Sequence, residues 1–483
     1  MVGRTGTLRL SRRNLLRCAG LASASALAAA CGATPTPQVI EKVVTQVIEK
    51  EVTTIVEGTP QVVKETVIVE VPAAPAEKVT IRVNNGLSAP WQAFHAACVD
   101  SFKATHPDIE IVEEITAEQR IEKLTADMAA GTAPDMLDWF GTRQLIPYLD
   151  KNQLLDLNPF LDTLPEGERG RFTKFAFDDA NYNGLQYAVA RTATVNNVFL
   201  HRSILNEAGV ELADNYTYDD LAAAAAAMTI KDDTGKTTRW GMNGGTANAS
   251  MWWFFSELIA FGGQFWDDNT YEPLFNKEPG VAVLNWYLDR IYKDGSCLST
   301  KTVPEGIDLW FGAWAQGLVG LTYSASWNLS AIPERVKPEL LDGVECFAVP
   351  AGPNGDRSSN PSAQAAAIWA KTQHPQETWL YYWSTYDAGY PDRLLKAFGT
   401  GMLLPLADEQ AVLRYLDPTK PPKNKDVLPT FFQYAKGYPI HPKIFAIQDA
   451  VNAALDAILG QQMTPQEGLD DAARRARDIL AEE

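Results

Sequence analysis

Three short apolar segments decide the fold: VTIRV at residues 79–83, IEIV at residues 109–112 and MLDW at residues 136–139. A helical pattern of apolar residues lies between each pair of segments, from Trp91 to Phe102 and then from Ile121 to Met128. This alternation predicts a βαβαβ unit, because parallel strands need a crossover between them. The crossovers should be right-handed, as they nearly always are in such sheets.

The ends of these predicted strands indicate where a ligand would bind. In open α/β sheets, ligands occupy the crevice beyond the carboxyl ends of the strands. Residues 84–91 follow the first predicted strand, and Asp138, Trp139 and Phe140 stand at the end of the third. We therefore expect both segments to face one cleft.

A second α/β region is predicted after Ala188. A strand ending at His201 precedes a short helix. Thr217, with Asp220 three residues later, has the pattern of a capping box ahead of an alanine-rich helix. Apolar residues at helical spacing over residues 447–458 predict an amphipathic helix near the end of the chain.

Length, charge and composition limit which folds and which partners are possible. A chain of 483 residues exceeds one ordinary domain of roughly 100–200 residues, so two domains or one large two-lobed unit are expected. The formal net charge is −18, and such a surface repels phosphate backbones, so we expect no nucleic acid partner. The 5 Cys and 5 His show no metal-type spacing, and no metal or cofactor is expected.

Residues 1–30 have the features of an export signal. Several Arg precede a short apolar run, and Ser11 to Leu16 resembles a twin-arginine motif. The alternative is a general secretory signal that contains two Arg. Leu27 to Gly32 resembles a bacterial lipobox, which predicts a diacylated Cys31 that anchors the protein in the membrane. The alternative is ordinary cleavage nearby and a free secreted protein.

Residues 31–77 have a different composition, in which Val and Ile alternate with Glu, Lys, Thr and Gln. No aromatic residue occurs between Cys31 and Trp91, so the segment has little large apolar surface for a core of its own. We expect a low-complexity, extended tether that holds the globular part away from the membrane. A self-associating strand is the alternative, because alternation with period two is also the strand pattern.

Several motifs occur in a fixed order over residues 78 to about 475 and together resemble one family. They are Ala130 to Asp135, Asn183 to Ala188, Leu205 to Val210, Tyr216 to Leu221, Gly262 to Asp267, Ser326-Trp327 and Val349 to Pro353. They are similar to the family 1 extracellular solute-binding proteins of ABC importers, which include the maltodextrin-binding proteins.

The resemblance implies a type II periplasmic binding protein fold, with two discontinuous α/β lobes joined by a hinge. Lobe 1 would comprise residues 78–190 and 352–398, and lobe 2 would comprise residues 191–351 and 399–483. The cleft between the lobes would hold the solute.

Sugars present apolar faces and a rim of hydroxyls, so their sites need aromatic planes and hydrogen-bonding groups. Trp139 and Trp327 match aromatic sugar-stacking positions of the family. Trp252 and Trp253 are consecutive near the start of a predicted helix, so we expect that only one of them faces inward and that one faces the cleft. Trp310 and Trp314 should pack together on one helix face. The candidates for hydrogen bonds to the ligand are Ser88, Gln92, Asp138, Arg143, Arg191, Thr192, Asn248, Ser326 and Arg357.

The function expected from these features is that of an exported, lipid-anchored, monomeric binding protein. It would capture a carbohydrate by hinge closure and present it to a permease driven by a cytoplasmic ATPase. Rival interpretations are a different solute, such as a peptide, a polyamine or a sugar phosphate, or an enzyme, such as a secreted glycosidase. Neither G-x-S-x-G nor H-E-x-x-H occurs, which argues against two common classes of enzyme.

Overall fold

The structure is a computed structural model that describes residues 43–56, 59–72, 78–85, 88–115, 120–149, 151–399, 403–417 and 419–482. The predicted signal segment and Cys31 lie outside these residues. The described strands before residue 77 and the part from residue 78 to the end belong to two separate compact units.

The first unit contains a two-stranded antiparallel hairpin. Strand β1 (Val43–Val56) pairs with β2 (Thr59–Pro72) over the whole length of both strands. The period-two alternation therefore forms paired strands within one chain, as the strand interpretation of this sequence allows. The role of the segment as a tether stays a prediction.

The larger unit contains two mixed sheets, which we call sheet 1 and sheet 2. Its strands are β3 (Val79–Asn85), β4 (Ile109–Ile115), β5 (Met136–Gly141), β6 (Asn181–Tyr182), β7 (Leu185–Gln186), β8 (Val189–Thr194), β9 (Asn196–His201), β10 (Ile230–Lys231), β11 (Thr237–Gly244), β12 (Cys297–Leu298), β13 (Val319–Ala325), β14 (Val344–Phe347) and β15 (Ser362–Ile368). Sheet 1 has the order β4-β3-β5-β15-β8, and sheet 2 has the order β10-β11-β13-β9-β14.

The predicted βαβαβ unit is confirmed at the start of sheet 1. Strand β3 pairs in parallel with β4 on one side and with β5 on the other. The helix before β4 buries Trp91, Phe94, Cys98 and Phe102, the residues whose spacing predicted it. Because β3 is central, its alternate side chains Ile81 and Val83 are fully buried.

Helices cover both sheets. They are Ala89–Thr105, Arg120–Ala130, Ile146–Leu149, Asn158–Leu161, Phe175–Asp178, Arg202–Glu207, Tyr218–Met228, Met251–Ala260, Glu278–Leu288, Gly312–Ala315, Ile332–Arg335, Pro338–Leu341, Pro375–Ser384, Tyr390–Phe398, Glu409–Leu416, Ile444–Leu459 and Pro465–Ala481. The capping box predicted at Thr217 and Asp220 opens the helix Tyr218–Met228. No helix among the described residues combines the length and the apolar character that crossing a membrane requires.

Among the described residues, successive strands change from one sheet to the other at two places. Strand β8 belongs to sheet 1 and β9 to sheet 2, with only Val195 between them. The chain returns between β14 and β15. The chain thus leaves sheet 1 for sheet 2 at Val195. The lobe boundary proposed from the family resemblance lies between residues 190 and 191 and stays a prediction.

Candidate functional site

The carboxyl ends of two neighbouring strands in sheet 2 bring the predicted aromatic residues together. Strands β11 and β13 are parallel, with Gly244 opposite Tyr323. The helix that carries Trp252 and Trp253 follows β11, and Ser326 and Trp327 follow β13. Because parallel strands end at the same edge of a sheet, both segments lie at one edge.

Four rings form a cluster at this edge, which we call the aromatic cluster: Trp252, Trp253, Trp327 and Tyr438. The ring centroid of Trp252 lies 6.5 Å from that of Trp253, 6.4 Å from that of Trp327 and 5.6 Å from that of Tyr438. Trp327 is 39% exposed, whereas the other three rings are buried. Trp327 is therefore the ring of the cluster most open to a ligand.

The expectation that only one of Trp252 and Trp253 would face inward is wrong. Both side chains are buried, because their helix is covered on more than one side. Trp253 packs against Tyr323 of β13, with the centroids 5.7 Å apart. Trp252 is covered by Tyr438 and by Arg143.

Arg143 reaches this cluster from sheet 1. It lies in a one-turn 3₁₀ helix, Thr142–Leu145, directly after β5. Its guanidinium carbon is 3.0 Å from the ring centroid of Trp252 and 4.5 Å from that of Tyr438. Burial lowers the pKa of Arg143 to about 10, so the side chain stays cationic at neutral pH. A cation on the face of Trp is an attractive contact, and here it joins the two lobes.

Asp138 and Arg191, on two strands of sheet 1, bind each other. Oδ1 of Asp138 accepts a hydrogen bond of 2.7 Å from Nη1 of Arg191, and Oδ2 lies 3.3 Å from Nδ1 of His95. Both members of the pair are buried. Burial by itself lowers the pKa of Arg191, but the Asp138 carboxylate raises it above the ordinary value. In this conformation the pair joins β5 to β8.

Ser326 binds the segment that connects the two sheets. Its hydroxyl accepts a hydrogen bond of 3.1 Å from the N–H of Val195, and its own N–H donates one of 2.9 Å to the Val195 carbonyl. The N–H of Asn196 donates to the Ser359 hydroxyl at 2.8 Å. The junction between β8 and β9 is thus bound by the residue that follows β13 and by the segment between β14 and β15.

The remaining predicted residues lie at several distinct places. Thr192 and Asn248 are buried, and within the described residues neither Thr192 Oγ1 nor Asn248 Oδ1 has a hydrogen-bond partner. Ser88 is exposed at the start of the helix Ala89–Thr105, where Gln92 is partly buried. Arg357 donates a hydrogen bond of 2.6 Å to the carbonyl of Asp214.

Trp139 lies in strand β5, but its side chain is outside the described part of the structure. Trp310 and Trp314 do not share a helix face as expected. Only Trp314 belongs to the short helix Gly312–Ala315, where it is fully buried, and Trp310 is 53% exposed in the preceding turn. The carboxylate of Asp308 accepts hydrogen bonds from the N–H groups of Trp310 and Gly312, which fixes that turn.

Sequence reasoning missed Tyr438, which borders three cavities of about 280, 290 and 430 Å³. The first two are also lined by Arg143. Arg143 and Tyr438, which contact each other, therefore border both of these cavities. The signal available in the sequence was the Tyr438-Pro439 pair shortly before the predicted amphipathic helix.

Sequence reasoning also missed Glu257. From the helix Met251–Ala260, its side chain binds the turn Gly245–Asn248 that precedes this helix. It accepts hydrogen bonds from the N–H of Thr246 at 3.1 Å, from the Thr246 hydroxyl, and from the hydroxyl of Tyr287 at 2.5 Å. Burial raises its pKa to about 7. Within the described residues, no cluster of three or more His, Cys, Asp and Glu is arranged to hold a metal ion.

The family model for bacterial extracellular solute-binding proteins matches residues 85–382. A binding protein of Brucella abortus is 23% identical over 383 residues, 79% of this chain and 88% of that protein. The maltotriose-binding protein of Pyrococcus abyssi is 22% identical over 373 residues, 74% of this chain and 73% of that protein.

Solved structures share the fold. An ABC substrate-binding protein of Listeria monocytogenes, in complex with cycloalternan, matches with a TM-score of 0.71 and 18% identity, over 84% of this chain and 100% of that one. A maltose-bound protein of T. maritima matches with a TM-score of 0.67 and 20% identity, over 83% of this chain and 100% of that one. The predicted type II periplasmic binding protein fold is confirmed.

Proposed function

The chain belongs to the family of bacterial extracellular solute-binding proteins, and we propose that it captures a mono- or oligosaccharide in the cleft between its lobes for an ABC importer. One observation carries this proposal. The aromatic cluster lies where Arg143 of the sheet 1 lobe meets the sheet 2 lobe, so a single ligand can touch both. Aromatic planes beside hydrogen-bonding groups suit the apolar faces and hydroxyl rims of sugars.

The ligands of related proteins support a carbohydrate. The two similar solved structures hold cycloalternan and maltose, and the relative from Pyrococcus abyssi is named for maltotriose. At such low sequence identity, these proteins support a common fold but not a common ligand. The aromatic cluster of this chain is the reason to propose that it too binds a carbohydrate.

We propose capture by hinge closure, with no bond made or broken. A ligand that binds Arg143 and the aromatic cluster together interacts more strongly with the closed arrangement than with an open one. It therefore shifts the population toward closure. The hinge would be the crossing at Val195, together with the return segment between β14 and β15. The proposed lobes are residues 78–190 with 352–398, and residues 191–351 with 399–483.

Titration calorimetry of the purified protein with a panel of mono- and oligosaccharides tests this function. We expect saturable binding and no reaction product after long incubation. Turnover of the sugar would identify a glycosidase instead. Binding of peptides, polyamines or sugar phosphates without any sugar binding would assign a different solute.

Replacing Trp327 with alanine should weaken binding of the sugar selected by that panel by on the order of 1–3 kcal/mol, because a stacking surface is lost. Trp327 is half-exposed, so the melting temperature should change little. Trp310→Ala is the matched control, since Trp310 is more exposed and lies outside the aromatic cluster. Equal affinity of wild type and Trp327→Ala would remove Trp327 from the site.

We further propose that residues 1–30 direct export, by the twin-arginine or the general secretory route, and that Cys31 carries the lipid anchor. The mature protein would act as a monomer at the outer face of the cytoplasmic membrane. There it would present the closed, loaded form to a permease driven by a cytoplasmic ATPase.

Cys31→Ala should release the protein from membranes into the soluble fraction. Each buried methylene of an acyl chain contributes about 0.8 kcal/mol, so two chains hold a protein stably and their loss is decisive. Cell fractionation followed by immunoblotting measures the distribution. Cys98→Ala, at a buried free cysteine, should stay with the membrane. A Cys31→Ala protein that stays membrane-bound would contradict the lipid anchor.

A further inference from the structure

The cavity of about 290 Å³ between Arg143 and Tyr438 has an unusual lining, and we call it the Arg143 cavity. Arg143 is its only charged lining residue among the described residues. Three amides and two hydroxyls complete its polar lining, and they belong to Gln144, Gln364, Gln448, Ser362 and Tyr438. The cavity therefore offers one positive charge among neutral polar groups.

Within the described residues, the Arg143 guanidinium contacts two aromatic rings and forms no ion pair. Trp252 and Tyr438 contact it through their rings, at 3.0 and 4.5 Å from the guanidinium carbon. A guanidinium stacked on a ring keeps its N–H donors in its own plane, where they can meet a carboxylate in a two-pronged hydrogen bond.

One carboxyl group that influences Arg143 is engaged elsewhere. Asp179 accepts a hydrogen bond from the Thr142 hydroxyl, and burial raises its pKa. A raised pKa means that the site disfavours the negative charge of Asp179. The positive charge of Arg143 is thus only partly compensated, and a partly buried cation favours an anionic partner.

Two of the three amides in the cavity, Gln144 and Gln448, have their oxygens occupied. Oε1 of Gln448 accepts the Tyr438 hydroxyl hydrogen bond at 3.0 Å, and Oε1 of Gln144 accepts the N–H of Gly141 at 3.2 Å. With their oxygens occupied, both side chains have NH₂ groups left for a ligand. Oε1 of Gln364 is buried and has no hydrogen-bond partner in the described part of the chain.

We infer that the ligand is an acidic sugar, a saccharide that carries a carboxylate, and that this carboxylate binds the Arg143 guanidinium. The inference rests on the proposed sugar-binding function. One cation matches the single charge of a carboxylate, whereas a phosphate with nearly two charges calls for several converging cations. The neighbouring amides would bind the hydroxyls of the same ring.

The test compares each acidic oligosaccharide with the same molecule after its carboxyl group has been reduced to the alcohol. Galacturonate, glucuronate-bearing xylose and mannuronate oligomers serve as probes in calorimetry at neutral pH. For the probe that binds, reduction should weaken affinity about 10- to 100-fold, the range for a hydrogen bond to a charged group. R143Q should remove the difference between the two forms, and R143K should keep part of it.

The outcomes separate the two proposals. Neutral sugars that bind as tightly as acidic ones, or R143Q protein that keeps the preference, would overturn the acidic-sugar inference and leave sugar binding intact. Binding of acidic peptides with no sugar bound in either form would overturn both. The comparison of wild type with acidic and reduced probes decides the question even if R143Q fails to fold, which its melting temperature would reveal.

Discussion

Asp138→Ala should lower the free energy of unfolding by about 3–5 kcal/mol, the cost of removing one partner from a buried ion pair. The substitution leaves the Arg191 guanidinium in the interior with the neutral Thr385 hydroxyl, 2.8 Å away, as its remaining side-chain hydrogen-bond partner. The side chains of Arg191 and Asp138 are 1% and 0% exposed, so water cannot replace the carboxylate. Urea denaturation followed by fluorescence measures the loss.

A second ion pair in sheet 1 provides the matched control. Nε of Arg82 lies 2.6 Å from Oε1 of Glu114, but these side chains are 41% and 30% exposed. Glu114→Ala should therefore cost at most about 1 kcal/mol. Equal losses from Asp138→Ala and Glu114→Ala would contradict the assignment of a buried, uncompensated charge.

Arg191→Met should cost less than Asp138→Ala, because His95 can then pair with the remaining carboxylate. Burial holds the pKa of His95 at about 4, the Asp138 carboxylate raises it and Arg191 lowers it further. Without Arg191, protonated His95 becomes the partner of Asp138. The Arg191→Met protein should therefore gain stability relative to wild type as the pH falls toward 5.

The elements of sheet 1 could be predicted because their patterns are local. Strands β3 and β5 are short apolar runs, and the helix between β3 and β4 has its apolar residues at helical spacing. Asp138 was predicted at a strand end that faces the cleft, but it is the third residue of β5 (Met136–Gly141) and is fully buried. Its partner could not be predicted, because Arg191 is 53 residues away in the sequence and only the pairing of β8 with β15 brings it near.

The aromatic cluster was predicted only in part. Trp327 was selected by its match to a sugar-stacking position of the family, and it lies just after β13. Helical periodicity assigns Trp252 and Trp253 to different sides of one helix, but it cannot show that both sides are covered. Tyr438 covers Trp252 from a segment nearly 200 residues later, and Arg143 does so from the other lobe. Such contacts depend on tertiary structure alone.

Glu257 should make the protein less stable as the pH rises from 4.5 through 7. Burial raises the pKa of this carboxyl from 4.5 to about 7, so between these values the native state holds a proton that the unfolded state has released. The free energy of unfolding then falls with rising pH. The stabilisation is fully present below pH 4.5 and declines by roughly 3 kcal/mol once the pH exceeds 7, from 1.36 kcal/mol per pKa unit.

The difference in unfolding free energy between wild type and Glu257→Gln isolates this contribution, since glutamine keeps the shape and does not titrate. Measured by urea denaturation from pH 4.5 to 8, the difference should move in favour of glutamine as the pH rises. Tyr287→Phe is the matched control. Its hydroxyl donates to the Glu257 carboxylate and lowers the pKa, so its loss should shift the decline to higher pH. A difference that is flat with pH would mean that Glu257 stays ionised throughout, and that the turn carrying Asn248 is held by a charge rather than by a proton.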